Sequence, residues 1–315
     1  MSTPGSSQAA ASVRLGGRYE LIDKFAVGGA AEIYRAKDTR SGDVVVVKRM
    51  RPDLPFDPEV SAGFLREIQL STLCNHKNVL RGLDRGSHSG LDYVVLEYIH
   101  GQDLEKVMER AQRRGVRIPH TLSLFVVGEI LNGLSAIHQL SDHNGMPMGL
   151  VHRDLTPRNV FVRYDGAVMV ADFGASVATA QEPVPDEVVG SVGYLSPEQA
   201  GLRPLDARTD IFSCGLILYE LLMGTPAFST SGRNDSQVLK LHQKGAVKRL
   251  PSSVPEDLAM IVDIACSADA EDRYADARTM GQAVAQALRE RGGAHAKTEL
   301  CSFLTTLFRT ELMQS

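Results

Sequence analysis

The chain has 315 residues, which exceeds the usual size of a single hydrophobic core and favours two domains or one large unit with two lobes. Its composition, with 43% hydrophobic and 23% charged residues, is typical of a soluble globular protein, and its net charge of −4 gives no basic excess that would favour nucleic acid or an anionic membrane as a partner. The four cysteines lie far apart without a CxxC pair, which favours free thiols in a reducing cytoplasm over disulfides or a zinc site.

The N-terminal part of the chain is predicted to be rich in strands. Residues 1–17 are rich in Gly, Ser and Ala and lack the pattern of a signal peptide, so we expect a disordered leader there. Asp57 as N-cap and Pro58 at the first helical position predict the start of a helix. Runs with β-like patterning and neighbouring glycine turn signals lie at 19–25, 32–38, 43–50, 82–88 and 91–97.

From Gly101 onward the pattern is mostly helical. The run 122–140 predicts a long apolar helix, and the run 210–224 is apolar almost all round, as expected for a helix buried in a larger lobe. The apolar stretch 214–224 contains Glu220 and is shorter than the roughly 20 residues that span a bilayer, so we expect no membrane segment and a cytoplasmic protein. A strand-rich half followed by a helix-rich half indicates an α+β fold with two lobes.

Motifs that carry chemistry follow one another at compatible spacing. They are "AVGGAAEIYRA" (26–36), "VVVVK" (44–48), "LEYIHGQD" (96–103), "VHRDLTPRN" (151–159) and "ADFGAS" (171–176). Together they resemble the eukaryotic-like serine/threonine protein kinase family over about residues 18–292. The style of the first motif, the segment "SDHNGMPMGL" and the hydroxyl residue Thr156 are similar to those of soluble bacterial kinases of the myxobacterial kind.

The resemblance implies a bilobal protein kinase fold of α+β class, with a small β-rich N-lobe that contains helix C and a larger, mainly helical C-lobe. It divides the chain into a leader (1–17), an N-lobe (18–97), a hinge (98–103), a C-lobe (104–292) and a helical C-terminal extension (293–315). The extension has apolar residues at helical spacing, so we expect it to pack on the large lobe, with docking to a partner as the alternative.

The resemblance also implies a site for ATP. Lys48 would reach the phosphates from a strand end, oriented by the carboxylate of Glu67. The glycine loop is atypical, because Ala26 and Ala31 stand where the family has its outer glycines. Asp103 would meet the ribose or serve as the N-cap of the following helix, and these roles are compatible. The nucleotide contacts implied are Ala26, Val27, Gly28, Gly29, Ala30, Ala31, Ile33, Val46, Lys48, Leu96, Glu97, Ile99, Asp103 and Phe161.

For the chemical step, the resemblance assigns Asp154 to the proton of the substrate hydroxyl. Asn159 and Asp172 would hold Mg²⁺, with Mn²⁺ as an alternative, through their hard oxygen atoms. Most relatives place a lysine where this chain has Thr156, and that lysine contacts the transferring phosphate. We therefore hypothesise that Arg158 replaces part of the missing positive charge.

Other motif residues are expected to serve as scaffold or as a switch. Ser196-Pro197-Glu198, Asp210 and Arg273 match structural positions of the family. Glu187, which follows Asp186, lies where an activating phosphate usually sits, so it could supply a permanent negative charge to Arg153. A solvated acidic loop is the alternative.

The sequence thus predicts transfer of the ATP γ-phosphoryl group to serine or threonine of protein substrates, in bacterial intracellular signalling. A pseudokinase scaffold and a small-molecule kinase are the alternatives. Retention of Lys48, Glu67, Asp154, Asn159 and Asp172 argues against the scaffold. An upstream kinase or a docking partner would provide the input, and neither nucleic acid nor a membrane is expected as a partner.

Overall fold

A computed structural model describes residues 13–313 of the chain except 30, 54, 56, 179–186, 230 and 246. The chain forms two compact units. The first comprises residues 1–72 and 81–98, and the second comprises residues 73–80 and 99–315. The first is mainly strand and the second mainly helix, which confirms the predicted α+β class.

The first unit is built on a six-stranded antiparallel sheet with the strand order β1-β2-β3-β4-β6-β5. Its elements are β1 (Arg14–Leu15), β2 (Tyr19–Val27), β3 (Ala31–Asp38), β4 (Val44–Met50), α1 (Pro58–Leu73), β5 (Gly82–His88) and β6 (Leu91–Glu97). Helix α1 begins at Pro58, and the Asp57 side chain accepts a hydrogen bond from the Val60 N–H, so the predicted N-cap is confirmed.

The two faces of this sheet bury different residues, because successive side chains of a strand point to opposite sides. On one face, Val45 and Val47 pack in a cluster with Leu15, Tyr19 and Tyr93. A second cluster is formed between the sheet and α1. It contains Phe64 and Ile68 of the helix together with Ala31 and Val94 of the sheet. The alternation leaves Val46 and Lys48 on the face opposite Val45 and Val47.

The predicted disordered leader (1–17) is wrong at its C-terminal end. Arg14 and Leu15 pair with Glu20 and Tyr19 as a short strand, and Leu15 is fully buried. The composition of the segment is polar, but burial of one leucine side chain in the sheet core stabilises this end. The remainder of the predicted leader, residues 1–12, lies outside the described residues.

The second unit is built around two apolar helices that lie in its core. Its strands are β7 (Gly101–Asp103), β8 (Leu150–Val151), β9 (Val160–Arg163), β10 (Val168–Val170) and β11 (Val177–Ala178), and they form the small sheets β10-β9-β7 and β11-β8. Its helices are α2 (Leu104–Arg113), α3 (His120–His138), α4 (Pro197–Ala200), α5 (Arg208–Met223), α6 (Asp235–Gln243), α7 (Glu256–Ala265), α8 (Ala277–Glu290), α9 (Ala296–Leu307) and α10 (Arg309–Leu312).

Helix α3 has the length and apolar composition of a membrane span, with a mean hydropathy of 1.3 over its most apolar window. It lies, however, in the core of the second unit, where it packs against α5, α8 and α9. Helix α5 is buried almost all round, as its sequence predicts, and ends at Gly224, whose φ of 71° is a left-handed conformation that glycine adopts without strain.

Candidate active site

Lys48 and Glu67 form an ion pair within the first unit. Lys48 follows four consecutive valines on β4, and its Nζ lies 2.5 Å from Oε1 of Glu67 on α1. The side chains are only 17% and 8% exposed. Because burying one charge alone costs several kcal/mol, each of these groups needs the other. The pair fixes the position of the lysine amine near the end of its strand.

The glycine loop is a tight turn between β2 and β3. The N–H of Gly28 donates to the carbonyl of Ala31 at 2.7 Å, which closes the turn. The predicted nucleotide contacts Ala26 and Val27 end β2, and Ala31 and Ile33 begin β3. Ala30, also predicted to contact the nucleotide, lies outside the described residues.

Arg51 contacts this loop, which the sequence motifs did not indicate. Its Nη1 donates to the carbonyl oxygens of Gly28, at 3.3 Å, and Gly29, at 3.4 Å. Since a trans peptide group is planar, a carbonyl that points to Arg51 turns the N–H of the same peptide the opposite way. For the Gly28–Gly29 peptide, the N–H of Gly29 is therefore directed away from the arginine.

The predicted connector residues belong to different units. Leu96 and Glu97 end β6, and the Glu97 side chain accepts a hydrogen bond from the Arg81 N–H at 2.9 Å, whereas Ile99 belongs to the second unit. Asp103 is the N-cap of α2, because its Oδ1 accepts from the Lys106 N–H at 2.8 Å.

Phe161, another predicted nucleotide contact, lies beside Asp103. Phe161 on β9 is the direct partner of Asp103 on β7 in the antiparallel register. The structure therefore brings together these two predicted contacts, although they are separated by more than fifty residues in the chain. The small sheet of the second unit fixes both residues next to the start of α2.

Asp154 lies at the centre of the catalytic-loop cluster. Asn159 Nδ2 donates to the carbonyl of Asp154 at 2.8 Å and to its Oδ2 at 3.0 Å. The N–H of Ser191, from the segment after residue 187, donates to Asp154 Oδ1 at 2.7 Å. Both carboxylate oxygens are thus oriented by hydrogen bonds, and each keeps lone pairs for a further donor.

Asp172 is connected to this cluster through the backbone. The N–H of Ala171 donates to the Asn159 carbonyl at 2.8 Å, so the residue before Asp172 is joined to the catalytic loop. Asp172 adopts a φ of 68°, a left-handed conformation that is uncommon for residues other than glycine. The Gly174 N–H donates to its Oδ1 at 3.1 Å, which helps to hold this turn.

These two residues fit a hard cation such as Mg²⁺. Asn159 uses Nδ2 for both hydrogen bonds to Asp154, so its Oδ1 is the atom left to ligate. Asp172 provides a carboxylate. Within the described part of the chain, no cluster of three or more His, Cys, Asp or Glu residues could hold a metal by itself. A cation that takes few protein ligands and completes its shell with water and phosphate oxygens suits this donor set.

Asp210 holds the backbone of the catalytic loop through hydrogen bonds. It is fully buried on α5 and accepts hydrogen bonds from the N–H groups of His152, at 2.8 Å, and Arg153, at 3.0 Å, and from His138 Nε2 at 2.8 Å. Burial would raise the pKa of Asp210, but these hydrogen bonds outweigh it and hold the pKa below its ordinary value. Arg153 adopts a φ of 66°, and the ionised aspartate stabilises this strained backbone.

Thr156 and Arg158 lie in different surroundings in the structure. Thr156 is buried, whereas the Arg158 side chain is 75% exposed. Arg158 Nε donates to Oε2 of Glu105, on the first turn of α2, at 2.7 Å, and this contact raises the pKa of Arg158 above its ordinary value. Glu105 was not predicted from the sequence, since nothing in its neighbourhood indicates a partner 53 residues away.

Glu198 and Arg273 form a buried bidentate ion pair, with oxygen–nitrogen distances of 2.7 and 2.8 Å. Burial raises the pKa of Glu198, but Arg273 and a hydrogen bond from Thr209 outweigh it and lower the pKa below its ordinary value. The next residue, Gln199, donates to the carbonyls of Arg153 and Val189. These bonds connect the segment that contains Ser191 with the catalytic loop.

Glu187 is exposed and lines the same small cavity as Arg153 and Arg203. The Arg153 Nε donates to the carbonyl of Ala175. The neighbouring Asp186 lies outside the described residues. A carboxylate that lines a cavity together with two arginines suits the switch hypothesis.

Comparison with known proteins agrees with this geometry. The family described as "Protein kinase domain" matches residues 19–288. The chain is 33% identical over 303 residues to "Tyrosine-protein kinase MasK" of Myxococcus xanthus, which covers 94% of this chain and 47% of that protein. It is 32% identical over 314 residues to "Serine/threonine-protein kinase PknB" of Mycobacterium tuberculosis, which covers 96% and 47%.

A third relative is "Probable serine/threonine-protein kinase PknB" of Bifidobacterium longum, at 35% identity over 280 residues, covering 83% of this chain and 38% of that protein. The chain therefore spans less than half the length of these curated relatives.

Proposed function

The chain belongs to the protein kinase family, and we propose that it transfers the γ-phosphoryl group of ATP to serine or threonine hydroxyls of protein substrates. The observation that carries this proposal is the geometry at Asp154. Its carboxylate is oriented from one side by Asn159 and from the other by the Ser191 N–H. A carboxylate held in this way can accept the proton of an alcohol as that alcohol attacks phosphorus.

The other residues supply position and charge. Lys48, oriented by Glu67, is suited to hold the phosphates, and the Gly28–Gly29 turn presents backbone to them. Asn159 and Asp172 would hold Mg²⁺, with Mn²⁺ as an alternative. When bound, the metal neutralises phosphate charge that builds up during transfer. Little covalent chemistry is required of the protein, since orientation and electrostatics provide most of the rate enhancement.

Two alternative functions receive less support. A scaffold without phosphotransfer has no need for the Lys48–Glu67 pair, nor for the hydrogen bonds that orient the Asp154 carboxylate. A small-molecule kinase has no need for the Glu198–Arg273 pair, which stabilises the segment beside Asp154. Protein substrates therefore remain the proposal, together with a cytoplasmic signalling role and input from an upstream kinase or a docking partner.

Tyrosine is the second candidate acceptor, because one relative is named a tyrosine-protein kinase. Serine or threonine is preferred here, since other relatives are named for that specificity. The relatives thus divide on the acceptor but agree on protein phosphorylation.

Incubation of the purified chain with γ-labelled ATP, Mg²⁺ and a generic acceptor protein tests the proposal. Acid hydrolysis and separation of the labelled phosphoamino acids then identify the acceptor. We expect phosphoserine or phosphothreonine, and phosphotyrosine alone would favour the second candidate. Absence of any label, on the acceptor and on the chain itself, would leave the scaffold as the better account.

A further inference from the structure

The C-terminal extension lies beyond the family match, which ends at residue 288, yet it is firmly packed. Helices α9 and α10 form most of it, and α9 contacts both α2 and α3. Five residues of the extension are buried within the second unit: Ala296, Leu300, Leu304, Leu307 and Phe308. This burial is what keeps a segment outside the family fold attached to it.

Phe308, between α9 and α10, makes two contacts, one with the turn between β9 and β10 and one with the last turn of α2. Its ring centroid lies 6.2 Å from that of Tyr164, in the turn between β9 and β10. The guanidinium of Arg110, on α2, lies over the Phe308 ring at 4.9 Å and forms an ion pair with Glu311 of α10. The cation–π contact and the ion pair together attach the extension to α2.

Tyr164 in turn fastens the residues that precede Asp103. Its N–H donates to the carbonyl of His100 at 3.1 Å, and the two rings meet edge-on with centroids 5.1 Å apart. Its hydroxyl accepts a hydrogen bond from Gln102 Nε2 at 2.9 Å. The segment 100–102 is therefore held by Tyr164 in addition to the pairing of β7 with β9, and Tyr164 packs on Phe308.

We propose that Phe308 is a positioning residue for the nucleotide site. Through Tyr164 it supports residues 100–102, and through Arg110 it supports the last turn of α2, so the segments before and after Asp103 are both connected to the docked extension. The proposal rests on the proposed function, because it takes Asp103 as a contact of the nucleotide. Removal of the ring is expected to loosen Asp103 and to weaken nucleotide binding, since a mobile group must then be immobilised when the ligand binds.

Leu304 provides a matched control. It lies on α9, is fully buried and is aliphatic, and it takes no part in the ring contacts of Phe308. Leu304→Ala and Phe308→Ala both leave a cavity in the extension, so a general loss of stability affects both variants. Phe308→Leu retains an apolar side chain of similar reach and serves as the conservative variant.

The full-length chain and the three variants are titrated with a non-hydrolysable ATP analogue and Mg²⁺ by calorimetry, and amide hydrogen exchange is followed over residues 98–106. For Phe308→Ala we expect about fivefold weaker binding with kcat changed less than about twofold, which is the signature of lost ground-state binding. Exchange over 98–106 accelerates in this variant. Phe308→Leu recovers part of both effects, and Leu304→Ala shows neither.

Equal affinity and equal exchange in Phe308→Ala and Leu304→Ala would overturn the proposal. If the unmutated chain bound no nucleotide at all, the proposed function would fail instead. The exchange of residues 98–106 would then still decide whether Phe308 positions this segment.

Discussion

The backbone N–H of Ser191 lies 2.7 Å from Oδ1 of Asp154, so a residue of the downstream segment directly orients the candidate catalytic carboxylate. Two groups of contacts hold this arrangement in place. Asp210 fixes the backbone before Asp154, and the Glu198–Arg273 pair, with Gln199, fixes the segment that contains Ser191. The expected consequences concern stability, charge at the catalytic loop and the chemical step.

Loss of Arg273 is expected to destabilise the second unit. Arg273→Met leaves the Glu198 carboxylate buried without its partner, which typically costs about 3–5 kcal/mol. Urea denaturation measures the loss. The double variant Glu198→Gln/Arg273→Met removes both charges and should recover a large part of it. A loss below about 1 kcal/mol in the single variant would show that the pair is not structural.

The charge of Arg158 is expected to affect the transfer rate only modestly, because Glu105 already offsets it. Arg158→Ala should lower kcat about threefold, and Glu105→Gln, which releases the guanidinium, should raise or maintain it. Steady-state kinetics with saturating ATP measure both. If neither variant differs from the unmutated chain, Arg158 does not replace the charge that a lysine at the Thr156 position would supply.

The second unit should become less stable as the pH is lowered, because of His242. This histidine is fully buried, stacks on Phe228 with ring centroids 3.9 Å apart, and donates through Nδ1 to the carbonyl of Leu195 at 2.6 Å. Burial lowers the pKa of His242 from its ordinary value of 6.5 to about 4. The unfolded chain therefore binds a proton that the folded chain does not, between these two values.

Since the unfolded state binds more protons in that window, the free energy of unfolding decreases as pH falls from about 6.5 to about 4, by at most roughly 3 kcal/mol from this group. Urea denaturation at pH 7.5 and pH 5 measures the difference. In His242→Asn, which keeps a donor for Leu195, the difference should shrink. An equal pH dependence in both proteins would assign it to other groups.

Sequence reasoning reached the features that depend on local pattern. The β-like pattern of residues 43–50 predicted the strand β4, and the Asp57-Pro58 signal predicted where α1 begins. The family resemblance paired Lys48 with Glu67. Several other long-range partners were not predicted, because charge and period do not say which distant side chains meet. Glu105 with Arg158, His138 with Asp210, and Arg110 with Glu311 were found only in the structure.

The end of the leader shows the same limit. Gly- and Ser-rich composition predicted disorder up to residue 17, but Leu15 enters the core of the first sheet. Backbone pairing and the burial of one side chain hold this end, and an average of composition registers neither.

Removal of the Glu187 charge tests the switch hypothesis. Glu187→Ala is expected to lower kcat about fivefold if the carboxylate orders the segment near Arg153, because a carboxylate supplies less charge than a phosphate but acts permanently. Glu187→Gln, which keeps the size and removes the charge, should behave like the alanine variant. Full activity in both variants would leave Glu187 as a solvated residue.

The measurement that tests the central claim most directly compares the unmutated chain with Asp154→Asn. This substitution keeps the shape of the side chain and removes its capacity to accept a proton. We expect kcat for phosphoryl transfer to fall by about 10²–10⁴, with the Kd for ATP changed less than about twofold. An unchanged kcat in Asp154→Asn, with the same ATP affinity, would contradict the assignment of Asp154 to the chemical step.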